Sequence, residues 1–74
     1  MRKLIVFFNG GAPYSVEVGE HLNSLRLAYP DQTEIDLPIR SCVYPGKYIM
    51  EEHFYVSDRD VTDTDIINAI DVAP

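Results

Sequence analysis

Tyr14-Ser15-Val16-Glu17-Val18-Gly19-Glu20-His21-Leu22-Asn23-Ser24-Leu25-Arg26-Leu27-Ala28-Tyr29 is the stretch whose reading decides the fold. Its first part alternates: Tyr14, Val16 and Val18 against Ser15, Glu17 and Gly19, the period of a half-buried strand that would fold back as a hairpin on residues 4–8. Taken further, Val18, Leu22, Leu25, Ala28 and Tyr29 fall at spacings of four, three, three and one, an apolar stripe on a helix. Both readings place a helix over 20–28. They differ on whether it begins near Ser15 or near Gly19. Pro13 and Ser15 suit an early start, whereas Val16, Val18 and Gly19 are mediocre helix formers. The early start is the preferred reading.

Outward from this stretch the chain is simpler. Leu4-Ile5-Val6-Phe7-Phe8 is an unbroken apolar run closed by Asn9-Gly10-Gly11-Ala12-Pro13, which reads as a strand buried on both faces, then a turn or loop in which Gly10 and Gly11 can take the positive φ that other residues avoid. On the other side, Pro30 ends the helix and Pro30-Asp31-Gln32 makes a turn. Thr33, Ile35 and Leu37 alternate with Glu34 and Asp36 as a second strand over 33–37, ended or held to an edge by Pro38. Residues 38–47 are irregular or briefly extended, with a turn at Tyr44-Pro45-Gly46-Lys47. Residues 48–50 and 53–56 are extended, as one strand bulged near Glu51-Glu52 or as two. After a loop at 57–60, Thr62 caps a last helix running to about Asp71, answered by Asp65, with Ile66, Ile67 and Ile70 buried and Val61 as a staple.

The preferred order is therefore β-α-β-β-(β)-α in a single domain over 1–74: an α/β sheet whose first two strands are parallel through a right-handed crossover. The late helix start gives a different arrangement, a β-grasp or other α+β fold with an N-terminal hairpin over 3–18. The chain ends Asp71-Val72-Ala73-Pro74, with no Gly-Gly that would suggest conjugation.

Residues 4–37 resemble the first half of a small glutaredoxin or thioredoxin-like protein: an apolar strand, a turn, a helix and a short strand. Where that family carries Cys-Pro-Tyr-Cys, this chain has Ala12-Pro13-Tyr14-Ser15. The resemblance implies a truncated thioredoxin-like fold without redox activity, because thiol–disulfide exchange needs a thiolate and neither Ala12 nor Ser15 supplies one. The family's middle helix has no room between Leu37 and Tyr48.

Composition restricts function further. The chain has 74 residues, 46% of them hydrophobic, which suits one small domain with a thin core and makes a dimer or bound partner a natural complement. No apolar run is long enough to span a membrane. Met1-Arg2-Lys3 imitates the opening of a signal peptide, but the apolar stretch after it is too short and stops at Asn9-Gly10. A single cysteine, Cys42, excludes an internal disulfide and suits a reducing, cytoplasmic setting. Its expected role is a small buried hydrophobe, with a reactive thiol as the alternative.

Charge is lopsided. Residues 1–50 balance, while residues 51–74 hold Glu51, Glu52, Asp58, Asp60, Asp63, Asp65 and Asp71 against Arg59 alone, which accounts for the whole net charge of -6. Such a field repels phosphates and speaks against nucleic acid; it suits a basic protein surface. Asp58, Asp60, Thr62 and Asp63 hint at a calcium loop, but the required glycine is missing and Ala69 stands where the closing glutamate belongs. His21 and His53 form no metal-spaced motif, and no pairing of carboxylates or nucleophile with base is legible. No catalytic residue, metal or cofactor is therefore assigned. Tyrosine is rigid, amphipathic contact area, and Tyr44 and Tyr48 flank the Pro45-Gly46 turn. The expected function is a non-enzymatic interaction module, using Tyr44, Tyr48, Glu51, Glu52, Asp58, Asp60, Asp63 and Asp65 on a basic or nucleic-acid-binding partner. An inhibitor or modulator of the kind carried by phages or mobile elements fits that description. A thiol protein using Cys42 and a self-assembling structural subunit are the alternatives.

Overall fold

The computed structural model describes residues 1–46 and 48–72. Six strands precede one helix: β1 (Arg2–Phe7), β2 (Tyr14–Val18), β3 (Ser24–Ala28), β4 (Glu34–Pro38), β5 (Arg40–Pro45), β6 (Met50–Ser57) and α1 (Asp63–Val72). Four of them form a sheet in the order β2-β1-β6-β5, and β3 and β4 form a separate hairpin. β1 runs antiparallel to β2 and parallel to β6. The domain is a small α+β fold.

Leu4, Ile5, Val6 and Phe7 are all buried, as a strand with both faces covered must be. Alternation sends Leu4 and Val6 to one face and Ile5 and Phe7 to the other. On the first face Leu4, Val6, Val18 and Val56 pack with Leu37 of the β3–β4 hairpin, which acts as a lid. On the second, Ile5 and Phe7 meet Ile66 and Ala69 of α1. The result is three layers, hairpin on sheet on helix, with β1 at the centre of two thin cores.

Local chemistry explains the turns. Asn9 and Gly10 both have positive φ (55° and 70°), and the Gly11 N–H donates to the Phe8 carbonyl at 3.1 Å. This is the backbone of a primed hairpin turn, for which Asn-Gly is a favoured pair because its twist matches that of the strands. In the β3–β4 hairpin, Pro30 and Asp31 occupy the centre of a turn closed by Gln32 N–H to Tyr29 O at 2.8 Å. Gln32 then takes φ 73°, and Tyr29 N–H reaches Thr33 O at 2.8 Å. A type I turn followed by a left-handed residue is the usual three-residue hairpin connection.

The expected helix over 20–28 is not formed, and the β-α-β-β-(β)-α order is corrected to β-β-β-β-β-β-α. Leu27 explains why. It lies off the helical stripe, whereas Leu25 and Leu27 alternate with Ser24, Arg26 and Ala28 and match Ile35 and Leu37 across the hairpin. Arg26 opposes Asp36 and binds it through two hydrogen bonds of 2.8 and 3.0 Å. The N-terminal hairpin of the second arrangement is present, with Leu4 opposite Val16 and Val6 opposite Tyr14. The parallel partner of β1 is accordingly β6, not the next strand.

Two smaller corrections concern the later strands. Tyr44 and Pro45 belong to β5, so the hairpin turns beyond them, closed by Gly46 N–H to Ile49 O at 2.8 Å. Lys47, part of the expected turn, lies outside the described residues, as do Ala73 and Pro74. The expected bulge at Glu51-Glu52 is absent, since the β5–β6 register runs unbroken from Arg40 opposite Tyr55 to Pro45 opposite Met50. The α1 start is as expected: Thr62 N–H donates to Asp65 Oδ2 at 3.0 Å and Asp65 N–H to Thr62 Oγ1 at 3.2 Å, a reciprocal cap. Of its isoleucines, Ile66 is buried but Ile67 is exposed.

Candidate functional site

The acidic third of the chain does not form one patch. Asp58, at the end of β6, turns inward: Oδ2 accepts the Asn9 N–H at 2.8 Å and the Tyr29 hydroxyl at 3.1 Å, and its side chain is 10% exposed. Oδ1 is buried without a hydrogen bond, 3.5 Å from the Arg59 guanidinium. That contact is an ion pair without hydrogen-bond geometry. The Asp58 N–H donates to Phe7 O at 3.2 Å, so this residue ties the β1–β2 turn, the β3–β4 hairpin and β6 together.

Asp63 accepts the Tyr44 hydroxyl at 3.0 Å and joins α1 to β5. Desolvation, then the Asp63 carboxylate, push the Tyr44 hydroxyl up to about 12. Asp65 is spent on the helix cap, and the Thr62 hydrogen bonds hold its carboxyl below the usual range. Asp58, Thr62 and Asp63 therefore face separate partners rather than a shared cation position. No group of three metal-ligating side chains occurs among the described residues.

Cys42 sits in β5 directly opposite His53, half-buried against the α1 core, with its thiol 3.6 Å from the His53 carbonyl. Burial raises its pKa. A reactive thiol needs the opposite shift. His53 lies 3.6 Å from Glu51, and His21 sits in the turn after β2, folded over Gly19. Ala12 and Pro13 lie in the loop between β1 and β2, while Tyr14 and Ser15 open β2. The four residues in place of the redox motif thus have no helix N-terminus behind them.

What the fold does bring together is the far end of the β5–β6 hairpin. Tyr48, Ile49 and Met50 are 86%, 72% and 59% exposed, and Val43 beside them is 53% exposed. Of the seven large hydrophobics that the described residues expose, these four lie on this one hairpin. Cross-strand partners share a face, so Glu51 lies with Tyr44 on the helix side and Glu52 with Val43 on the other. Two carboxylates thus bracket an apolar tip. Tyr48, Glu51 and Glu52 were expected here. Val43, Ile49 and Met50 were missed, although an apolar run beside a turn, in a chain too small to cover it, was a readable signal. Asp60 is exposed in the loop after β6, away from the tip.

No protein-family model, curated protein or solved structure matches this chain. The site therefore rests on its own geometry. No helix among the described residues is long and apolar enough to cross a membrane.

Proposed function

We propose that this chain is a non-enzymatic protein-interaction module that presents the tip of the β5–β6 hairpin to an apolar cleft rimmed by basic residues. The observation that carries this reading is the concentration of exposed Tyr48, Ile49 and Met50 beside Glu51 and Glu52. Exposed apolar side chains supply binding energy when they leave water, and flanking carboxylates supply orientation and rate. Burial raises the pKa of the half-buried Cys42 thiol, which favours the interaction reading over a reactive thiol. An inhibitor or modulator of a basic, nucleic-acid-binding protein fits this surface, because a carboxylate-flanked projection competes for a groove built for phosphates.

The test is affinity capture from cell lysate with the native chain and with an Ile49→Asp/Met50→Asp variant. A stoichiometric partner held by the native chain, released by the variant and weakened between about 50 and 500 mM salt supports the reading. A partner held equally by both chains contradicts it.

A further inference from the structure

β5 is the outer strand of the sheet, and its free edge has a definite hydrogen-bonding pattern. The Gly46–Ile49 bond closes the hairpin. Bonded pairs alternate along an antiparallel ladder, so Arg40, Cys42 and Tyr44 bond to β6, while Ser41, Val43 and Pro45 turn their backbone groups outward. Proline has only a carbonyl to offer. The edge therefore presents the full donor–acceptor pairs of Ser41 and Val43 and the acceptor of Pro45.

We propose that a second copy of this chain pairs with that edge, the two β5 strands antiparallel about a two-fold axis at Val43. In this register each Val43 exchanges both backbone bonds with Val43 of the second copy. Each Ser41 N–H reaches the Pro45 carbonyl opposite, while the Ser41 carbonyl, which proline cannot answer, stays with solvent. Charge fits as well. Arg40 comes opposite Gly46 of the second copy, and the Glu51 side chain lies over Gly46, occupying the position where a Cβ would stand. Arg40 and Glu51 are on the same face, so each copy's guanidinium meets the other's carboxylate. Within one copy they stand four positions apart along the ladder, about 14 Å, and do not meet.

The other edge is a poorer match. Self-pairing of β2 about Val16 sets Glu17 against Ser15 and brings no cation to it. The β5 pairing also covers Val43, the exposed apolar residue at its centre, and gives a thin two-core domain the larger sheet that its size favours. Tyr48, Ile49 and Met50 lie past the paired segment, whereas Val43 and Glu51 are shared with the tip, so the dimer is read on the isolated chain without the proposed partner.

Sedimentation equilibrium on the isolated chain, from about 5 to 500 µM, reads the dimer constant. The average mass should climb from 8.4 kDa toward twice that value. Arg40→Glu and Glu51→Arg should each weaken the dimer about tenfold or more, since each sets like charges together at both symmetric sites. The double variant should restore it. Val43→Cys in a Cys42→Ser background should form an intermolecular disulfide, because bonded pairs stand about 5.5 Å apart at Cα. Glu17→Cys in that background should not. A monomer over the whole range, single reversals without effect, a double variant that stays weak, or cross-linking through native Cys42 or Glu17→Cys would overturn the proposal.

Discussion

Asp58 looks like surface charge in the sequence, yet it is the most committed polar side chain in the fold. Replacing it with alanine strands the Asn9 amide and the Tyr29 hydroxyl, which it now satisfies. A loss of about 2–3 kcal/mol is expected from charge-assisted bonds in a shielded site, read by chemical denaturation. Tyr44 has its own signature. Its folded pKa is raised from 10.0 to about 12, so the stability it contributes is present below pH 10 and is lost as pH rises toward 12. Melting temperature should therefore fall more steeply over that window in the native chain than in Tyr44→Phe. Neither role was legible in the sequence, because composition reports how many carboxylates exist and not which ones find a donor across the fold.

At the scale of elements, the strongest periodic segments were legible and the ambiguous one was not. β1 and α1 announce themselves through an unbroken apolar run and a Thr62–Asp65 cap. Residues 20–28 misled because a stripe at helical spacing and a short alternation share Leu25, and only the pairing with residues 34–38 decides between them. Asn9-Gly10 and Pro30-Asp31 were both readable as turns; the first hairpin was the second reading of residues 3–18, while the β3–β4 hairpin lay hidden under the helical stripe. The second hairpin also has a correctable flaw. Gln32 holds φ 73° without the glycine this position favours. Gln32→Gly should stabilise the domain by about 0.5–1 kcal/mol, relief of left-handed strain exceeding the added chain entropy; an unchanged denaturation midpoint would contradict the turn assignment.

For the whole molecule, three layers leave β1 sealed and the β5–β6 hairpin reaching past both covers. Among the described residues, one hairpin lid and one ten-residue helix cover a four-stranded sheet. Four of the seven large apolar side chains that the described residues leave exposed lie on this hairpin, beside Glu51 and Glu52. The expectation of an interaction module named Tyr48 and those two glutamates together with Asp58, Asp60, Asp63 and Asp65, of which Asp58, Asp63 and Asp65 make hydrogen bonds within the fold. The most direct test is amide hydrogen exchange on the chain alone and in the complex it captures. Protection gained at residues 48–52, with β3, β4 and α1 unchanged, is the predicted result; protection gained on α1 or the β3–β4 hairpin, with the tip still exchanging freely, would contradict it.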